Sequence, residues 1–244
     1  MTFQSRHHAF VSDAEVHSLL TLFNTHFATV MADSPERVRT AQMLRHQVYC
    51  IENPLEHENQ EGIETDIFDS HAAHSLLIHS PSEIPVGTAR LILPLTDDTE
   101  QSFPIQSVLD ADASREFKNI PFHSTAEVSR FSISRQSRRL MEARDHAQKD
   151  LIGSAAPLMR LGLIQALVRM SVQHNITYWC AMMEQSLLRM LAAMAIHFVP
   201  IGPVVQFHGL RQPCFCNLPK MLEDVKRERP AFWSVLTSGG ALAL

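Results

Sequence analysis

Apolar residues recur along this chain at two spacings, one helical and one alternating. Over residues 13–31, Val16, Leu19, Leu20, Phe23, Phe27 and Val30 fall on one helical stripe, with Ser12 or Asp13 as its cap, which predicts a helix across the whole span. Ser34-Pro35, a capping residue followed by proline at the first helical position, starts a second helix running to about Cys50. "AAHSLLIH" (72–79) and "PVGTARLILPL" (85–95) read as two strands joined by a Pro-Ser turn. Residues 96–125 are irregular, with helical turns near Pro104–Leu109 and 113–118. "AEVSRFSIS" (126–134) alternates strictly, so a strand there places Glu127, Ser129, Phe131 and Ile133 on one face and Val128, Arg130 and Ser132 on the other. A long apolar helix (156–174), a strand (176–183), a helix (184–195) and a last, irregular strand (197–207) follow. This order predicts an α/β (α+β) three-layer arrangement, a mixed sheet with helices on both faces.

Composition narrows the class. A chain of 244 residues, 45% hydrophobic and 19% charged, suits one domain with a substantial core. The formal net charge of −5 gives no hint of nucleic-acid binding. Charge is unevenly spread, however. Residues 51–69 hold seven carboxylates and no Lys or Arg, whereas residues 135–149 hold five basic residues against two acidic ones. Such regions are either solvated faces or binding surfaces. Four cysteines make no disulfide framework at this length, and the Cys214–Cys216 pair is too sparse for zinc without further ligands. The first twenty residues contain no apolar signal core, and the most apolar stretch (178–205) is broken by Glu184, Arg189 and Pro200. A cytoplasmic protein without a membrane span is the expectation.

Common catalytic signatures are missing: there is no GxGxxG, P-loop, HExxH or GxSxG. His71 and His74 in "HAAH" are read as solvated or hydrogen-bonded histidines, not metal ligands. Met182, Met183, Met190 and Met194 either pack the core or line an acyl tunnel. What remains is a set of charged residues at strand edges and in the acidic loop: Arg45, Asp66, Asp69, Arg90, Glu127 and Arg130. A strand that carries a carboxylate and a guanidinium three residues apart needs partners for both.

Four segments in order, "RHQVY" (45–49), "ETDIFD" (64–69), "VGTARLI" (86–92) and "EVSRFSI" (127–133), resemble the acyl-homoserine-lactone (autoinducer) synthases and the long-chain N-acyl amino acid synthases of the GNAT superfamily. The resemblance covers most of residues 38–210. The tail "IGPVVQFHGLRQPC" (201–214), with "VKRERPAFWSVLTSGG" (225–240), is similar to the acyltransferases associated with PEP-CTERM/exosortase systems. The resemblance implies a single GNAT-like acyltransferase domain over 1–244, with a mostly antiparallel central sheet, residues 1–35 as an N-terminal helix and 215–244 as a C-terminal extension. It implies an electrostatic cluster of Arg45, Asp66, Asp69 and Arg90 around an acceptor site. Tyr49, Phe131 and Trp179 are assigned with them to substrate binding. One departure stands out: autoinducer synthases carry a Trp after the Arg and aromatic pair, whereas here Tyr49 is followed by "CIENPLEHEN" and the only tryptophans are Trp179 and Trp233.

The implied reaction moves a long-chain acyl group from a thioester to the amine of an amino acid or similar small acceptor. Glu127 is the candidate base, and burial must raise its pKa for that task. Arg130 orients the carboxylates, since a guanidinium does not deprotonate. Ser129 either relays a proton to the leaving thiol or is a core serine. In GNAT folds this strand bulges and splays from the next to admit the pantetheine arm, so a backbone N–H near Phe131–Ile133 could polarise the thioester carbonyl. The co-substrate is an acyl-carrier-protein or acyl-CoA thioester, with no tightly bound cofactor and no metal. After "SISRQSRR" there is no glycine pair of the kind that cradles a coenzyme A pyrophosphate, and Gly153 stands alone. Arg135, Arg138, Arg139 and Arg144 instead offer either a docking patch for an acidic acyl carrier protein or a solvated loop. The protein remains open to peripheral contact with its lipid product. Two other readings stay in view: autoinducer synthesis with S-adenosylmethionine as acceptor, and a non-catalytic carrier-protein or lipid-binding module.

Overall fold

The computed structural model describes residues 13–144 and 155–242. The side chains expected to cap the first helix, residues 145–149 of the basic run and Gly153 lie outside the described ones. Helix α1 (Asp13–His26) ends earlier than its apolar stripe, and Phe27–Met31 become strand β1. Phe27 and Val30 satisfy both a helical and an extended reading, so local spacing cannot choose between them. Pairing decides: β1 adds antiparallel to β2 (Ala72–His79), from Phe27↔His79 to Met31↔Ser75. Helix α2 (Pro35–His46) is capped by Ser34, whose side chain accepts the Arg37 N–H, and runs on into a π-helical segment, Gln47–Glu52.

Strands β2 and β3 (Ile84–Ile92) form the expected hairpin. Short 3-10 turns at Ile67–His71 and Pro104–Val108, with helix α3 (Ala111–Lys118), occupy the connections. Strand β4 (Thr125–Ile133) pairs antiparallel with β3 and is followed at once by helix α4 (Arg135–Arg144). The long helix α5 (Ala155–Gln173), strand β5 (Tyr178–Met183) and helix α6 (Gln185–Ala193) then alternate as expected.

The expected last strand is only two short pieces, β6 (Val199–Pro200) and β7 (Val205–Gln206). The main final strand is β8 (Leu210–Asn217), which pairs antiparallel with β5 along its length. Its "LRQPCFCN" sequence holds a proline and no β-branched residue, so propensity conceals it. Helices α7 (Leu218–Glu228) and α8 (Pro230–Leu236) follow. Among the described residues the sheet has eight strands in the order β1-β2-β3-β4-β5-β8-β6, with β7 on β8, and only the β4–β5 pair is parallel.

Helix α5 crosses β1, β2 and β3 on one face, with α8 packed against α1, α5 and α7; α2 lies against β2 and β3. At Gly162, a Cβ would come within 2.6 Å of Leu77 and 2.8 Å of Phe23, so α5 sits closer to the sheet than any side chain there allows. Buried Gln165 ties this layer together: it accepts from Thr29 Oγ1 at 2.8 Å and donates to the Val235 carbonyl at 2.6 Å. A smaller core on another part of the sheet gathers Ile92, Phe103, Ile105, Phe117, Cys180 and Met182. The fold is thus the expected three-layer sandwich with a mixed, mostly antiparallel sheet.

Candidate active site

Two features of β4 create the site. The first is a bulge. Thr88 pairs with Ser132 but Arg90 with Ser129, so Arg130 and Phe131 together oppose Ala89 alone. Arg130 takes up the extra residue at φ +50°, a region L-residues enter only when surrounding contacts hold them there. The bulge corrects the strict alternation read from the sequence. Arg130 joins Glu127 and Ser129 on one cavity wall, while Phe131 and Ile133 pack with Val128 against the main core. The second feature is a wedge. Strands β4 and β5 pair only at Thr125↔Tyr178, Ala126↔Trp179 and Glu127↔Cys180, and beyond Glu127 they carry no further pairing.

Around the bulge lies a dense ion network. Arg45, fully buried, donates Nε to Glu64 and Nη1 to Asp69 at 2.8 Å. Arg90 clamps Asp66 through both terminal nitrogens (2.6 and 2.9 Å), reaches Asp69 at 2.5 Å and donates Nε to Ser129 Oγ at 2.9 Å. Arg130 donates to both Glu64 oxygens (2.7–3.2 Å) and to Asp66 at 3.3 Å, with its guanidinium 5.3 Å over the Tyr49 ring. Burial alone would raise the Glu64 and Asp69 carboxyls, but hydrogen bonds and charge from these arginines hold both down at about 2. His74 stands 3.8 Å from Asp69, and burial keeps its imidazole neutral, with a pKa of about 4. It is neither solvated nor hydrogen-bonded, contrary to expectation, whereas His71 does hydrogen-bond, to the Ser102 carbonyl at 3.0 Å.

Glu127 is set apart from this network. It is 2% exposed and accepts one hydrogen bond, from the Ile105 N–H at 2.8 Å. Burial pushes its carboxyl up to about 8, against that hydrogen bond and the charges of Arg90 and Arg130. It lines an open cavity of mixed character, in which Tyr49, Asp66, Arg90, Ser129, Arg130 and Arg211 share the wall with Phe68, Pro104 and Phe207.

An apolar recess adjoins that cavity and shares Tyr49, Ser129, Arg130, Met182 and Arg211 with it. Phe131, Ile164, Leu167, Trp179, Met183 and Phe198 line the recess. Trp179 is locked there by its Nε1 bond to Ser171 (2.8 Å) and by stacking on Phe198. Met182 and Met183 are therefore wall residues, while Met190 and Met194 only pack the core. The second tryptophan, Trp233, is held on α8 beneath Lys226 and lines neither cavity.

The four arginines assigned to docking all lie on α4, but they are not equivalent. Arg135 is bound to the Glu52 carbonyl and carboxylate and to Asn53, and Arg138 pairs with Glu142 at 3.4 Å. Arg139 and Arg144 are exposed, as is Leu140 between them. The start of α4 is already filled. Glu52 accepts from the Arg135 N–H (2.8 Å), the Gln136 N–H (2.9 Å) and Ser134 Oγ (2.8 Å), and these contacts lower its pKa against the effect of burial.

Sequence reasoning missed three participants. Glu64 lies inside a segment already singled out, yet nothing local distinguished it from six other carboxylates nearby. Glu52 reaches its partners across more than 80 residues, and Arg211, held by its own turn, meets Glu127 and Trp179 only through the cavities they share.

With this geometry in view, comparison with known proteins is informative. Residues 44–144 match the acetyltransferase (GNAT) domain family. A search of curated proteins finds no match. Among solved structures, the chain is similar to FeeM, an N-acyl amino acid synthase from uncultured soil microbes (TM-score 0.56, 15% identity, covering 82% of this chain and 96% of that one). It is similar to the acyl-homoserine-lactone synthase LasI (TM-score 0.53, 16% identity, 78% and 89%). It also resembles the CoA-dependent acyl-homoserine-lactone synthase BjaI (TM-score 0.54, 14% identity, 90% of each). At these identities the likeness shows a common fold. Domain match and fold together support an acyltransferase. Among the described residues no helix is long and apolar enough to cross a membrane.

Proposed function

We propose that this protein is an N-acyltransferase that moves a long-chain acyl group from a carrier-protein or CoA thioester to the amine of an amino acid or similar small acceptor. The observation that carries the reading is the placement of Glu127, a buried carboxyl with a pKa of about 8, in a cavity that Asp66, Arg90 and Arg130 also line and that adjoins an apolar recess. The recess suits a fatty chain and the wedge between β4 and β5 suits the thioester arm. The cavity that carries the charged side chains suits the acceptor, so that amine and carbonyl meet between them.

In the reaction the amine nitrogen attacks the thioester carbonyl, and Glu127, as carboxylate, takes the proton it loses. A backbone N–H in 131–133 holds the oxyanion, a contribution of about 3 kcal/mol. The C–S bond then breaks, and the thiolate recovers a proton from protonated Glu127 through Ser129, whose oxygen Arg90 anchors. Arg45, Arg90 and Arg130 hold Asp66, Asp69 and Glu64 in place around the acceptor and do not exchange protons.

Glu52 favours a carrier protein over CoA as donor. It occupies the amides at the start of α4 with its own carboxylate, so a pyrophosphate would have to displace it. The exposed Arg139 and Arg144 complement an acidic partner. Assignment to the PEP-CTERM/exosortase-associated branch rests on the resemblance of the 201–214 and 225–240 segments.

Mass spectrometry of lipid extracts from cells expressing wild type or Glu127→Gln tests the reading. New acyl amides seen only with wild type support it, and their head-group mass names the acceptor. Acyl-homoserine lactones instead would establish the autoinducer reaction. Carrier-protein binding without any product would leave a binding module.

A further inference from the structure

The three arginines of the network are matched by Glu64, Asp66 and Asp69, and each holds its partners at hydrogen-bond distance. Arg45 Nη2 has no partner but is fully buried, and Arg130, which lines both cavities, is tied to Glu64 and Asp66, so an anion that drew either guanidinium away would strand a carboxylate of the network. Arg211 differs from them. It projects from β8 to the junction of the two cavities, sharing one with Glu127 and the other with Trp179. Backbone carbonyls position it: Nε donates to Phe207 at 3.0 Å and to His208 at 3.3 Å, and Nη2 to His208 at 3.3 Å. The turn that aims those carbonyls needs His208 at φ +48° and Gly209 at φ +102°. Among the described residues its one carboxylate partner is Glu184, at 3.4 Å and more than half exposed, and Nη1 has no partner. This is a held guanidinium with spare donors, on the wall that also carries the candidate base.

We infer that Arg211 binds an anionic group on the acceptor, an α-carboxylate or its equivalent. The enzyme thereby selects amines that carry a negative charge over the same amines without it. The inference rests on the transfer reaction proposed at Glu127. A guanidinium meets a carboxylate through two parallel N–H donors, which fixes orientation as well as affinity. With the carboxylate on Arg211, the amine of the same molecule is directed into the cavity that Glu127 lines, and the apolar recess is left to the acyl chain.

The test uses the full chain and a panel of L-amino acids with their methyl esters. Binding is measured by calorimetry, and transfer from an acyl-carrier-protein thioester by product mass. Wild type should bind and acylate the best free acid with KM about ten- to a hundredfold below that of its ester. Arg211→Met should abolish that preference by raising KM for the acid alone, and Arg211→Lys should restore part of it. If Arg211 merely clamps the turn, both KM values rise together in Arg211→Met, and the inference is overturned. Equal wild-type binding of every acid and ester overturns it too, while acylation of either keeps the transfer reaction standing. Carboxylate-selective binding lost in Arg211→Met, with no acylation of any amine, keeps Arg211 in this role and removes the transfer reaction.

Discussion

Arg130 and Glu64, 66 positions apart, are joined by three hydrogen bonds of 2.7–3.2 Å that hold the acidic loop onto a bulged strand. The left-handed backbone of Arg130 persists because this contact and the Tyr49 ring over-determine its side chain. Arg130→Met should therefore cost ~2–4 kcal/mol, toward the low end of what breaking a buried pair costs because the side chain is 19% exposed. Thermal unfolding of the variant checks this. A change within experimental error would mean that the bulge holds itself.

The same network sets the acid limit of the fold. Glu64 and Asp69 titrate at about 2 in the folded chain, below their ordinary carboxylate values, so each binds protons more weakly folded than unfolded. Their contribution is fully present above the unfolded pKa near 4 and is lost as pH falls toward 2. Denaturant midpoints measured across pH 5 to 2 should fall steeply for wild type. In a Glu64→Gln/Asp69→Asn double variant they should fall more gently.

Glu127 shows the opposite linkage. Its folded pKa of about 8 lies above the ordinary value, so its stability contribution is present below about 4.5 and declines as pH rises through 8. Glu127→Gln should be more stable than wild type above neutral pH, with the gap widening up to about 8. In the same window kcat/KM of wild type should rise with pH and level off above about 8, because the carboxylate is the reacting form. A flat profile between pH 6 and 9 would rule out Glu127 as the titrating base.

The proposed preference for a carrier-protein donor is tested at Glu52, which occupies the start of α4. Glu52→Ala frees the Arg135 and Gln136 amides, at a stability cost of about 1–2 kcal/mol for the lost cap. Relative to the carrier-protein thioester, acyl-CoA should become a better donor. If kcat/KM for the two donors falls by the same factor, Glu52 is structural only.

How much of this was legible in the sequence depends on separation along the chain. Strands β2, β3 and β4 and helix α5 were readable because alternation or apolar runs are local properties. Strand β1 was not, because Phe27 and Val30 continue the stripe of α1 and only pairing with β2 makes them extended. Strand β8 was hidden by Pro213 and its lack of β-branched residues, although its place beside β5 helps build the cleft. The cluster residues Arg45, Asp66, Asp69, Arg90, Glu127 and Arg130 were found through ordered motifs, and the fold does bring them together. The side of the strand from which Arg130 acts was misread, because one inserted residue reverses the alternation and no residue type announces it. Glu52 and Arg211 acquire meaning only through partners on other elements, which no local pattern encodes.

The account stands most directly on product formation by the purified protein. It would be incubated with an acyl-carrier-protein thioester and the amino-acid panel near pH 8, with free thiol and acyl amide quantified together for wild type and Glu127→Gln. The account predicts one thiol released for each acyl amide formed by wild type, and loss of both in the variant. Thiol release without an amide, or an equal yield of amide from Glu127→Gln, would contradict it.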